Sequence, residues 1–289
     1  MNKLVSKIIQ CSVFLIFIGR AYQFLFFGSP FRELLWDESL MTPLIEGLFK
    51  IPWNEYASDL RVNSWIELST KLSAVVFILS AVLAIFWFKI SFSKLKRSIL
   101  GIGVVILIFT GICIVKSKNY DILQFFELAI QITAPVILLF SEKLLSKTNT
   151  SLMAVLKIAI VLVFISHGLF AMGVMPVPGY FIDMTIGILG FDETKARQFL
   201  FIVGFLDVLA SIGIFFSRTA PFAFFYLIIW GTVTALARFF IGLAFSPLEY
   251  AAHHNLYLTI YRLPHGLLPI AAYLLLEQFK TETNKIELT

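Results

Sequence analysis

The chain is short of charge and of cysteine. Only 14% of its 289 residues are charged, against 59% hydrophobic and 16% aromatic, and the mean hydropathy is +0.89. That balance excludes an ordinary soluble domain. No polar stretch is long enough to bury a core of its own, so residues 1–289 read as a single membrane domain without an appended water-soluble module. The two cysteines, Cys11 and Cys113, each lie in an apolar run. With no Cys-x-x-Cys pair, direct dithiol exchange is not expected. A glycine-rich nucleotide loop and a metal-spaced cysteine cluster are also missing, which argues against cofactor binding of the soluble type. The formal charge of +5 bears on membrane topology and not on nucleic acid. Lys3 and Lys7 precede an apolar run as in a signal peptide. Arg20 interrupts that run and no small-residue cleavage site follows, so it is expected to remain as the first span.

What the chain has in quantity is long apolar sequence. Windows of suitable length fall at roughly 8–27, 72–90, 98–116, 121–140, 153–175, 198–216, 221–245 and 256–276, each near the ~20 residues that a spanning helix needs. The expected fold is therefore all-α, a polytopic membrane bundle of about eight transmembrane helices. The basic positions are the N-terminus, Lys94, Lys96 and Arg97, the Lys143 and Lys147 connection, and Arg218. All fall on one side if the spans alternate, which predicts a multi-pass plasma (inner) membrane protein with both termini cytoplasmic. The opposite side receives Gly28 to Lys71, Pro176 to Arg197 and Ser246 to Asn255. In the first of these Leu34, Leu40, Met41, Leu44, Ile45 and Leu48 recur at helical spacing among charges, which suits helices lying at the membrane surface. The stretch PVPGYFIDMTIGILGF is amphipathic too and rich in Pro and Gly, as expected of an interfacial or re-entrant piece.

Two halves, 1–147 and 148–289, carry traces of duplication. Phe17-Ile18-Gly19-Arg20 lies over Phe164-Ile165-Ser166-His167, and Gln131 and Pro135 lie over His265 and Pro269. An even number of spans in each half would make the copies parallel, a 4+4 repeat.

Seven ionisable residues interrupt the apolar runs: Arg20, Glu127, His167, Asp207, Arg238, Arg262 and His265. Such groups are costly in lipid and mark functional interiors. Counted from the outer end of each span they lie about six to ten residues deep, roughly 9 to 15 Å at the helical rise, and so form one layer. Helical spacing gives Gln124, Glu127 and Gln131 a common face, and likewise Arg20 with Gln23, Arg262 with His265, Thr234 with Arg238, and Asp207 with Ser211. Arginines outnumber carboxylates in the layer, so an acidic or electron-rich ligand would suit it. Which carboxylate meets which arginine is open; Glu127 with Arg262 and Asp207 with Arg238 is one assignment. Pairs of this kind also serve simply to hold helices together.

His167, His265 and Asp207 are the candidate proton-handling groups. Arg20, Glu127, Arg238 and Arg262 are the candidate ligand contacts, joined by Arg32 and Asp37 at the expected cavity mouth. Trp36 beside them suits an aromatic belt. Two histidines at similar depth permit a bis-histidine haem or a metal, but a histidine bonded to a carboxylate or carbonyl is the commoner arrangement, so no haem or metal is assigned. His253 and His254 read as solvated loop residues. Gly168, Gly173, Gly204, Gly231 and Gly242 read as close-packing positions.

The second half, FISHGLFAMGVMPVPGYFIDM followed by FIVGFLDVLASIGIFF, resembles a DoxX-type membrane domain over roughly Leu156 to Leu276. The first half, from FIGRAYQFLFFGSPFRELLW onward, then resembles a second, diverged copy. The resemblance implies a four-helix unit associated with quinone-linked oxidoreductase systems, and hence a quinone, a redox partner protein and membrane lipid as partners. The chain departs from the family in its length, its long first outer segment and its extra arginines. A more distant likeness to the membrane domain of vitamin K-dependent carboxylases ranks lower, because no lysine stands in the outer buried layer. Other readings are a transporter or receptor for an anionic or lipid-like ligand, and a non-catalytic assembly partner whose polar layer only joins helices.

Overall fold

The computed structural model describes residues 3–91, 93–141 and 150–287. The Lys143 and Lys147 connection and the boundary between the two halves lie outside them. Among the described residues every regular element is helical. The first half contains α1 (Lys3–Phe26), α2 (Arg32–Leu35), α3 (Glu38–Ile45), α4 (Trp53–Ser58), α5 (Leu60–Ile85), α6 (Ser93–Ser117), α7 (Leu123–Phe126) and α8 (Ala129–Leu139). The second contains α9 (Thr150–Ala171), α10 (Gly179–Leu189), α11 (Glu193–Gly213), α12 (Ala220–Phe245) and α13 (Leu248–Ala251). A π-helical turn over Ala252–Leu256, α14 (Tyr257–Ile260) and α15 (Pro264–Glu287) follow. Six of these, α1, α5, α6, α9, α11 and α12, are long and apolar enough to cross a membrane. This is the architecture of a multi-pass membrane protein.

Two expected spans are interrupted. The run at 121–140 divides into α7 and α8 at Glu127 and Leu128, where the backbone tightens to a bond from Leu128 N to Phe125 O (2.9 Å). The run at 256–276 divides between α14 and α15 at Tyr261 to Leu263, with tightened bonds from Arg262 N to Thr259 O (3.0 Å) and from His265 N to Arg262 O (2.8 Å). Pro264 supplies the cause of the second break, because its ring disfavours a helical conformation at the residue before it. Interrupted backbone of this kind is tolerated at membrane depth only where protein covers it.

Other boundaries also shift. α5 begins at Leu60, well before the expected 72, because Asp59 caps it by accepting from Arg61 N (2.8 Å) and nothing breaks the helix until Phe86. The first outer segment therefore ends at Asp59, not Lys71. Its three short helices lie where amphipathic spacing placed helical structure, α3 capped by Asp37, which accepts from Leu40 N (3.0 Å). In the second outer segment α10 ends on Gly190, whose positive φ of 68° closes the helix.

α1 and α9 stand at the centre. α1 packs on α5, α8, α14 and α15, and α9 packs on α11, α7, α8 and α15, while α12 closes on α15 and α10 rests on α11 and α12. The interior is filled by fully buried rings, among them Phe17, Phe24, Phe77, Phe164 and Phe224. Because lipid tails are as apolar as these rings, close packing and not water exclusion must hold the helices together. Gly168 and Gly204 provide it between α9 and α11: a Cβ on either would stand 2.7 Å from the other's carbonyl oxygen. Gly231 brings α12 onto α15, where a Cβ would stand 2.6 Å from His265 O. Gly242 meets Asn255 in the same way. Gly173 is not a close-packing position; it takes a φ of 77° just past the end of α9.

Candidate functional site

The expected polar layer resolves into two groups of different character. In the first, Arg20 on α1 is buried and held by side chains from three helical segments. Its Nε donates to Gln131 Oε1 on α8 (2.9 Å), its Nη1 donates to Gln23 Oε1 (2.8 Å), and its guanidinium lies 4.2 Å from the ring centre of Tyr261. Gln23 comes from the expected helical face, whereas Gln131 and Tyr261 come from the two interrupted helices. The break before α15 is what brings Tyr261 over α1: Gly19 approaches its backbone so closely that a Cβ would stand 2.9 Å from Tyr261 N.

The second group lies mainly in the second half. His167 on α9 sets Nε2 3.4 Å from Oε1 of Glu127, the residue that ends α7. The ring of His265 stands with its centre 5.8 Å from that of His167. A backbone carbonyl can only accept, so the 2.7 Å bond between His265 Nδ1 and Arg262 O places a hydrogen on Nδ1 and leaves Nε2 of the neutral ring as an acceptor. His265 Nε2 is buried and unpartnered among the described residues, as are Arg238 Nε and Arg262 Nε. His265 is thus bonded to a carbonyl, whereas His167 has a carboxylate within ion-pair distance but no hydrogen bond to it among the described residues.

These groups border a cavity of about 170 Å³ enclosed by α9, α10, α11, α12 and α15. Most of its wall is apolar, with Phe164, Phe181, Phe199 and Trp230 among the larger side chains. His167, Asp207, Arg238, Arg262 and His265 all line it. An apolar volume with a few convergent polar groups is the usual form of a small-molecule site.

Asp207 and Arg238 do not pair, nor do Glu127 and Arg262, among the described ion pairs. Asp207 instead accepts from the Tyr226 hydroxyl (3.0 Å), and Ser211, its expected neighbour on the helix face, leaves its hydroxyl unpartnered. The Arg238 guanidinium lies 4.9 Å from the ring centre of Tyr180 on α10, and that of Arg262 5.7 Å from the ring centre of Tyr261. Cation–π contact stabilises these charges without neutralising them.

Arg32 and Asp37 are not brought to the cavity. Arg32 pairs with Glu67 (3.0 Å) and lies over Trp36, so it joins the first outer segment to α5. Asp37 pairs with Lys116 in the last turn of α6. His253 is not a solvated loop residue: it is half-buried in the π-helical turn, bonded to the Tyr22 hydroxyl (2.7 Å) and packed against Phe26 and Phe27. His254 stacks on Tyr250 at 3.9 Å.

Tyr180, Tyr226 and Tyr261 belong to the site although charge spacing could not select them. Tyr226 carries the available signal, a hydroxyl within an apolar helix that must find a partner. No family model, curated protein or solved structure matches this chain.

Proposed function

We propose that the protein is a DoxX-like membrane subunit of a redox system and that its cavity binds a quinone, a lipid-soluble carrier with acceptor oxygens. The observation that carries this reading is that Arg238 and Arg262 line an apolar cavity, form no ion pair among the described residues, and each leave a buried Nε without a hydrogen-bond partner. Their free N–H groups suit carbonyl oxygens, and fixed donors at a water-poor site favour negative charge that develops there. His265 Nε2 suits the opposite polarity, accepting from a quinol hydroxyl. The cavity is of the size that holds a single ring, since about 150 Å³ suffices for benzene. Reduction of a quinone takes up two electrons and two protons. A redox partner protein would supply the electrons, and His265, His167 with Glu127, and Asp207 with Tyr226 are placed to handle protons.

The same proposal takes the two interrupted helices as crossings, giving eight spans in a 4+4 parallel repeat. Helix boundaries support it. When Arg20 is laid over His167, Lys3 at the start of α1 falls on Thr150 at the start of α9. When Gln131 is laid over His265, α7 falls on α14 residue for residue. Basic residues at Lys3, Lys7, Lys94, Lys96, Arg97 and Arg218 support the proposal that this side, with both termini, is cytoplasmic and that the membrane is the plasma (inner) membrane.

The test is extraction in mild detergent followed by mass spectrometry of retained lipids. A quinone that co-purifies with the wild type and is depleted about tenfold in Arg238→Gln is expected. If no quinone is retained, and His167→Ala leaves quinone-dependent reduction in membranes unchanged, the reading fails.

A second reading, transport or reception of an anionic or lipid-like ligand, is favoured by one observation. Glu127 and Arg262 both stand at helix interruptions, where transporters build their binding sites. Uptake of candidate anions into liposomes that is unaffected by Arg262→Gln would count against it.

A further inference from the structure

The cavity is only partly closed, and the lining side chains that reach the protein surface bear on what can enter. We infer that the ligand is a tailed, membrane-dissolved molecule that passes sideways from the bilayer between α10 and α12, not a water-soluble one arriving from the outer face. This rests on the quinone reading and narrows it to quinones carrying an alkyl or isoprenoid tail.

The lining residues that reach the protein surface most fully on these helices are apolar. They are Ile188 and Leu189 on α10, exposed by 43% and 44%, and Val233 on α12, exposed by 47%. His167, Asp207, Arg238, Arg262 and His265 line the same cavity, and each is buried or half-buried. The polar end is therefore inside and the apolar end outside, the reverse of a mouth that receives solutes from water.

Depth points the same way. Val233 lies midway along the 26-residue α12, as far from either aqueous face as that helix allows. It belongs to a stripe of exposed apolar side chains on α12 that also includes Phe225, Ile229 and Phe240. Such a stripe recurs at helical spacing and is matched to lipid tails.

The polar end is covered from the side of α10. Tyr180 sits over Arg238, and the Phe181 ring centre stands 6.2 Å from that of His167, edge to face. A ring delivered through the gap at Val233 would meet Arg238, Arg262 and His265 at the far end and leave its tail among Ile188, Leu189 and the surrounding lipid.

The experiment uses the full chain in lipid nanodiscs and follows quenching by a benzoquinone bearing a decyl tail of the fluorescence that Trp230→Phe removes, Trp230 being the one of the five tryptophans that lines the cavity. The same ring without the tail is compared at equal mole fraction in the membrane. Val233→Phe and, separately, Ile188→Phe plug the mouth from lipid-facing positions, and circular dichroism of each checks that the bundle is intact. The expected results are association of the tailed quinone slowed at least tenfold by either plug, and binding of the tailless ring at least tenfold weaker. Unchanged association in both plugged variants, or equal binding of the tailless ring, overturns lateral access while leaving the quinone site standing. Failure of the wild type to bind either ring overturns both.

Discussion

Glu127, where α7 ends, holds its carboxylate 3.4 Å from Nε2 of His167 on α9, and so ties an interrupted helix of the first half to a continuous helix of the second. The contact is buried and belongs to neither half alone. It couples the backbone break at Glu127 to the wall of the cavity, because His167 is also a lining residue.

Removing one partner of a buried pair strands the other. Glu127→Ala is expected to destabilise the protein by about 1–3 kcal/mol, the cost of leaving a buried polar group without its neighbour. His167→Ala should cost at least as much, since it leaves the buried carboxylate of Glu127 without its neighbour. In thermal unfolding in detergent, the double variant should be less destabilised than the sum of the two. Additive losses would show that the two side chains do not interact.

The reciprocal approach of Gly168 and Gly204 makes a prediction of sign. Gly168→Ala should destabilise by about 1–3 kcal/mol, because the atom its Cβ would meet at 2.7 Å is backbone and cannot swing aside. Gly101 in α6 has nothing within 4 Å of its Cβ position, so Gly101→Ala should be neutral or stabilising by up to about 1 kcal/mol through helix propensity. Unfolding midpoints of the two variants that move in the same direction would contradict the close α9–α11 contact.

The first outer segment is held to the bundle by an acid-sensitive contact. Asp37 is kept well below the usual carboxylate range, at about 2, first by its bond with Lys116 and then by Ser39 and Leu40 N. A depressed carboxylate stabilises above its unfolded value, near 3.9, and loses that contribution as pH falls towards its folded value. Pepsin cleavage within Arg32 to Ser58 should therefore remain slow down to about pH 4 and accelerate towards pH 2. Asp37→Asn should show faster cleavage at pH 4 and a flatter profile below it. The same profile in both proteins would remove Asp37 from the control of this segment.

How far the sequence discloses the fold depends on what sets each feature. The spans α1, α6, α9, α11 and α12 are legible because length and hydropathy decide a membrane helix within a few residues. The start of α5 is not, because its outer turns are polar and only the Asp59 cap marks them. Nor is the break at Glu127, where no proline or glycine stands. The break before Pro264 carried a signal, although the apolar run concealed it. For the site, charge and depth select seven residues, and five of the seven border one cavity. The partners are another matter. Glu127 meets a histidine, Asp207 a tyrosine and Arg20 two glutamines, and each pairing depends on helix rotation and on the interruptions, which apolar periodicity does not encode.

Arg20 and Arg238 supply the sharpest contrast, because both are arginines in the same layer, and Arg20 donates to two glutamines whereas Arg238 leaves its buried Nε without a hydrogen-bond partner among the described residues. Arg20→Gln leaves the side-chain carbonyls of Gln23 and Gln131 without their donor, and each stranded buried acceptor costs about 1–3 kcal/mol. Arg20→Lys should recover little, because one ammonium cannot reproduce the Nε and Nη1 directions while lying over Tyr261. Arg238→Gln removes a charge that has no carboxylate partner among the described residues, so its unfolding midpoint should shift by less than the equivalent of about 1 kcal/mol. Ligand affinity should divide the other way. Quinone binding should fall about tenfold in Arg238→Gln, a loss of about 1.4 kcal/mol, and stay within about twofold in Arg20→Gln at a temperature where that variant is folded. The measurements are a melting curve and a quinone titration on each variant. Equal loss of affinity in the two would mean that the layer acts as one electrostatic unit, and the division between a structural arginine and a ligand-facing one would have to be abandoned.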